Sequence, residues 1–186
     1  MRIAVAALLA AIVIFIWQAI AHMVLPIGEM GFRQPTNEDA VLQAASTSLT
    51  TPGIYYLPSI DPNKMNDEAT VKAWGEKAKK NPYVWAVVNT PPEGDPMSMG
   101  PQLVKQFITV FLAALLVAYV LAATAWGFGA RVVGSLSFGV FGWLANIVPL
   151  WTWYRFPSDF IVGNLLEEGI GWLLGGVAIA WWLGRK

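Results

Sequence analysis

The side chains best suited to chemistry are a few polar groups set inside long apolar runs. Glu167 and Glu168 interrupt the run from about Phe160 to Leu183, and Asn146 interrupts the run from about Val132 to Trp153. Gln18 and His22 interrupt the first run, Ile3 to Leu25. An ionisable group inside a bilayer is costly, so it faces the bundle interior or a water-filled cavity and marks a functional site by default. Gln18 and His22 are one helical turn apart and share a face. At about 1.5 Å per residue, these five residues fall within roughly one turn of each other, in the outer half of the bilayer. Such a layer supports two readings. It is a buried polar network that sets helix register, or it is a ligand, quinone or proton site in which Glu167 or Glu168 titrates and His22 assists. A contact with another subunit is a third use of the same groups.

Glu167 also shares a helical stripe with Gly163, Gly171 and Gly175, each four residues from the next. Small residues at this spacing let two helix backbones approach, so the stripe predicts a carboxylate turned towards another helix. In the turn before the last run, Arg155 and Asp159 flank Phe156-Pro157. This spacing allows a local ion pair, with Asp159 near the positive end of the following helix. Trp151, Trp153 and Tyr154 precede it as interfacial anchors, since Trp and Tyr concentrate at headgroup level.

Other chemistries are excluded or unsupported. The chain has no cysteine and one histidine, which removes disulfides, zinc–thiolate sites and thiol nucleophiles. No phosphate loop, dinucleotide fingerprint or nucleophile elbow is present. Asp61-Pro62-Asn63 begins like a calcium loop, but Met65, Asn66 and Lys72 occupy the fifth, sixth and twelfth places, where an oxygen ligand, Gly and Glu are needed. Twelve basic residues balance twelve acidic ones, so there is no surplus for nucleic-acid phosphates. No cofactor is expected.

The elements that position these residues follow from composition. Of 186 residues, 56% are hydrophobic and 13% charged, against roughly 45–50% and 25% in soluble domains. The first run and those at about 107–126, 132–153 and 160–183 are each long enough to cross a hydrocarbon core of about 30 Å as helices. The expected fold is therefore an α-helical membrane protein with four transmembrane helices. Residues 1–25 form the first, read as an uncleaved anchor even though Ala19-Ile20-Ala21 has the form of a signal-peptide cleavage site. Residues 106–186 hold the other three.

Residues 26–105 read as a small α+β module. Thr36-Asn37-Glu38-Asp39 has the form of a helix start. Gly53 to Pro58 and Tyr83 to Val88 have strand composition. A helix opening at Asn66-Asp67-Glu68 closes on Lys77, Lys79 and Lys80, which suits the macrodipole. The module is too small for a large core and is expected to lean on the spans or on a partner.

Several segments together resemble a family of small bacterial inner-membrane proteins with no established activity. They are Trp17 with His22-Met23-Val24-Leu25-Pro26, Asn37-Glu38-Asp39-Ala40-Val41, Gly53-Ile54-Tyr55-Tyr56-Leu57-Pro58 and Trp153-Tyr154-Arg155-Phe156-Pro157. The resemblance implies a bacterial inner membrane and brings no site residues. With catalytic motifs absent and aromatic residues abundant, the expected function is non-enzymatic: an accessory or scaffold subunit contacting lipid and other membrane proteins, or copies of itself. The alternative is a transporter or ligand-binding membrane protein for a small solute, ion or proton, built on the carboxylate layer.

Short flanks rich in Lys and Arg stay cytoplasmic. Arg2, Arg131 and Arg185 with Lys186 lie in such flanks without acids, whereas residues 26–105 carry seven basic and nine acidic residues. Both termini are thus expected inside, with 26–105 in the periplasm. Single cysteines introduced at Ser59 and Gly184 test this with an impermeant thiol reagent on intact cells. Ser59→Cys should label and Gly184→Cys should not; the reverse pattern would invert the orientation.

Overall fold

The computed structural model describes residues 1–91, 94–95 and 97–185. In chain order the elements are α1 (Arg2–Met23), α2 (Glu38–Ser48), β1 (Gly53–Leu57), α3 (Glu68–Lys80), β2 (Val84–Val88), α4 (Gly100–Ala122), α5 (Phe128–Gly142), α6 (Val148–Tyr154) and α7 (Ser158–Gly184). They divide into two compact units: Met1–Phe32 with Met97–Lys186, and Arg33–Pro96. The second unit is narrower at both ends than the 26–105 segment marked out by composition.

The first unit contains four helical segments long and apolar enough to cross a membrane: Arg2–Met23, Gly100–Ala122, Phe128–Tyr154 and Ser158–Gly184. In it α7 packs against both α1 and α5, and α1 packs against α4. The core comes from Ala6, Ala7, Ala10, Ala11 and Ile14 of α1, from Val110, Ala114, Val117, Ala118 and Leu121 of α4, and from Ile179 and Leu183 of α7. The α4 residues recur at three- and four-residue spacing, so they form one stripe. Helix α4 starts at Gly100, well before the Phe107 boundary drawn from hydropathy.

The third span is not the single regular helix expected over 132–153. Between α5 and α6 the chain widens into a π turn over Trp143–Ile147, where the Val148 N–H donates to the Trp143 carbonyl. Pro149 follows at once. It has no N–H and its ring crowds the carbonyl four residues back, so a regular helical ladder cannot run through it. Helix α6 then stops at Arg155, whose φ of 59° lies in the left-handed region, and the Phe156 N–H closes back on the Leu150 carbonyl. A left-handed residue just past a helix end is a common stop signal because it lets orphan carbonyls be met.

Glycines allow α7 to lie close to two neighbours at once. A Cβ on Gly175 would stand 2.7 Å from Ile14 Cδ1, and one on Gly171 would stand 3.2 Å from Trp17 Cδ1. At Gly163 it would meet Met30 Cβ at 2.8 Å. The stripe expected from sequence thus faces α1 and the segment that follows it. Gly176 serves the opposite side, where a Cβ would come within 2.6 Å of Ser135 Cβ on α5. At the other end of α1, the Arg2 guanidinium donates to the Leu183 carbonyl at 2.7 Å and also to the Arg185 carbonyl. The cation meets carbonyls left unpaired at the negative end of α7.

In the second unit β1 and β2 form an antiparallel pair, with Ile54 opposite Val87 and Tyr56 opposite Trp85. Tyr56 also stacks near Tyr83, with ring centroids 5.8 Å apart. The order helix–strand–helix–strand is as the sequence led one to expect, with each helix starting one residue later. Asn37, not Thr36, caps α2 by accepting from the Ala40 N–H. Asp67, not Asn66, caps α3. The Thr70 hydroxyl and N–H both donate to Asp67 and hold its carboxyl below the usual aspartate range. The Trp74 indole N–H ties α3 to the Pro58 carbonyl at 2.9 Å. Pro58 is the one buried residue among those described in this unit.

Overpacking a well-filled helix contact typically costs about 1–3 kcal/mol. Gly175→Leu and Gly176→Leu should therefore lower thermal stability in detergent, whereas Val177→Leu, at an exposed position, should leave it within error. Equal melting of all three variants would mean that these glycines do not set the helix spacing.

Candidate functional site

The polar residues picked out along the chain do not form one ring. Consecutive residues on a helix point about 100° apart, so Glu167 and Glu168 must face different neighbours. Glu167 turns to α1: its Oε1 lies 3.1 Å from His22 Nε2. The Trp17 indole N–H donates to the Glu167 backbone carbonyl at 2.9 Å. Past Met23 the chain folds back, with the Gly28 N–H on the Ala21 carbonyl. A Cβ on Gly28 would overlap the imidazole. Glycine at 28 thus lets the backbone close over His22. The pair is half open on its His22 side, at 49% exposure, and more covered at Glu167, at 18%.

Glu168 turns the other way. Trp172, one turn further along α7, donates its indole N–H to Glu168 Oε2 at 3.0 Å. The carboxyl lines an open cleft of about 230 Å³ between α1, α4 and α7. Gln18, Gln106 and Thr109 share its wall, with Ile14 and Val110 as apolar neighbours. The Gln106 amide donates to Gln18 Oε1 at 3.2 Å, bridging α4 and α1. Gln18 and His22, one turn apart on α1, therefore go to opposite partners, α4 and α7.

Asn146 belongs to neither group. It sits exposed in the π turn and donates to the Gly142 carbonyl of its own helix at 3.0 Å. Trp151, Trp153 and Tyr154 are exposed on α6. Asp159 accepts from the Phe160 N–H at the head of α7. Gly163, Gly171 and Gly175 line the contact that brings Glu167 to α1. No group of three or more His, Asp or Glu side chains among the described residues is placed to hold a metal ion.

Three polar-tipped cleft residues escaped the sequence reading: Gln106, Trp172 and Thr109. Gln106 lay one residue outside the span drawn from Phe107, and Trp172 is one of ten tryptophans, set within an apolar run. The four-residue spacing of Glu168 and Trp172 was a signal available for the second. Thr109 gave none, because a lone hydroxyl in an apolar run commonly bonds its own helix. Here it does, donating to the Gln106 carbonyl. Further donors enter α7 from α5 and from the π turn: Ser135 Oγ to the Trp172 carbonyl at 2.8 Å, and the Trp143 indole to the Ile161 carbonyl at 2.9 Å.

No family model, curated protein or solved structure matches this chain.

The split layer has a thermodynamic signature. Charged pairs and interhelical hydrogen bonds of this kind are worth about 0.5–1 kcal/mol. A double-mutant cycle on His22→Ala and Glu167→Gln, read from unfolding in detergent, should return a coupling of about that size. The cycle on His22→Ala and Glu168→Gln should return close to zero. Equal coupling in both cycles would mean that the two carboxyls share one site.

Proposed function

We propose that this chain is a non-enzymatic integral membrane protein acting as an accessory or scaffold subunit of a larger membrane assembly. In this reading the four apolar helices span a bacterial inner membrane. The termini are cytoplasmic, and the Arg33–Pro96 unit lies in the periplasm. The flanking charge bias supports the orientation.

The observation that carries the subunit reading is the bareness of the second unit. Pro58 is its single buried residue among those described, while Ile54 and Val87 stand 66% and 71% exposed, side by side across the strand pair. Val41 and Leu42 of α2 are exposed too. Two strands without a covering layer are marginal alone, and the adjoining exposed side chains of Ile54 and Val87 offer a partner an apolar face. A partner protein that covers this sheet would supply the missing core. The polar cleft supports the second reading, binding or transfer of a small solute, ion or proton.

A pull-down of the full chain from solubilised membranes separates the two readings. Ile54→Asp with Val87→Asp should abolish co-purification of partner chains and leave the four helices inserted, while Glu168→Gln should co-purify as before. Undiminished association in the Asp variant, together with a well-assembled but inactive Glu168→Gln protein in a growth assay, would replace the subunit reading with the transport one.

A further inference from the structure

We infer that the cleft between α1, α4 and α7 binds the primary-ammonium head of an amphiphile whose hydrocarbon tail lies in the surrounding lipid. The inference rests on the four helices spanning a bilayer and is independent of the subunit reading.

Size sets the first limit. A volume of about 230 Å³ is below the roughly 300–1,000 Å³ of sites that enclose a whole small molecule. The cleft is also open. It can take a compact head while the remainder of the ligand stays outside.

The hydrogen-bonding capacity left in the wall sets the second limit. Glu168 Oε2 is used by Trp172, and Glu168 Oε1 has no partner among the described residues. Gln106 spends an N–H on Gln18, and its Oε1 has no partner there either. The Thr109 hydroxyl gives its proton to the Gln106 backbone and keeps its lone pairs. The wall therefore offers three side-chain acceptors, on Glu168, Gln106 and Thr109. A primary ammonium carries three N–H donors and no acceptor.

Charge sets the third. The lining holds one carboxyl and no basic side chain. A carboxylate taken out of water needs a paired charge or donors to offset its lost hydration. The neighbouring Glu167 cannot supply that, and the nearby imidazole is already directed at Glu167. An anionic head would be repelled. A quaternary head has no N–H to give. The source of the ammonium is either an aminophospholipid of the bilayer or a free long-chain amine.

The test uses the full-length protein in nanodiscs of mixed phosphatidylethanolamine, phosphatidylcholine and phosphatidylglycerol, with retained lipid counted by native mass spectrometry. Hydrogen bonds to a charged group predict a preference for phosphatidylethanolamine over phosphatidylcholine of about tenfold. Glu168→Gln and Thr109→Val should each reduce that preference, Glu168→Gln to near parity. Ala113→Phe, which fills the cleft from α4, should abolish retention. Glu76→Gln, on the exposed side of α3, should change nothing. Dodecylamine is the second probe. Displacement of the retained lipid by it assigns the site to the lipid head. Saturable dodecylamine binding that is lost in Glu168→Gln, without selective lipid retention, assigns it to free amines. Absence of both, or a preference that survives Glu168→Gln and Thr109→Val together, overturns the proposal.

Discussion

Close approach of α7 to α1 is the contact on which the apolar unit depends. Two helices of this length cannot come near each other through Leu and Ile side chains alone without spreading apart. Ala10 on one side and Gly171 and Gly175 on the other remove that bulk where the helices meet. In the proposed bilayer setting there is no hydrophobic drive between helices, so packing and hydrogen bonds must hold them. The short distance makes both possible. It brings Trp17 onto the Glu167 carbonyl, His22 onto the Glu167 carboxyl and, at the far end, Arg2 onto the last carbonyls of α7. The two helices are thus joined at both ends and packed in the middle.

Helix α7 is the hub because it carries small residues on more than one face. Gly176 admits Ser135 of α5, and Trp143 reaches the Ile161 carbonyl beyond it. With α1 and α5 placed on α7, α4 is left to pack chiefly on α1. A space remains between α4 and α7 at the level of Gln106 and Glu168, and it becomes the cleft. The polar lining follows from the packing. Glu168 cannot turn to α1, since Glu167 holds that direction, so it faces the gap that α4 leaves.

The two units are stabilised by different means. The apolar one has a continuous core and interhelical hydrogen bonds. The Arg33–Pro96 unit relies on local devices: the Asn37 and Asp67 caps, the strand ladder, the Trp74 link to Pro58 and the tyrosine and tryptophan cluster on the sheet. Local hydrogen bonds shape a chain but bury little area, and burial is the dominant favourable term in folding.

Much of this was legible in the amino-acid sequence, for a physical reason in each case. Apolar runs of some 20 residues suit the helix, which meets its backbone hydrogen bonds within the segment, so four long helices followed from composition. The acids at the head of α3 and the lysines at its tail announced its direction. The glycine stripe announced a close contact, though not the helix it would meet. Hydropathy could not register the bend at Trp143–Ile147, because a π turn and a regular helix have the same apolar content; only Pro149 hinted at it. Nor could depth along a helix say which way a side chain points. Asn146, Glu167 and Glu168 lie at similar depth, yet the first faces outward, the second faces His22 and the third faces the cleft. The sequence by itself determined which segments are helical and which polar groups they carry. Tertiary packing alone decided which of those groups meet, because a difference of about 100° around a helix axis separates neighbours in sequence and only the adjoining helices give that angle a meaning.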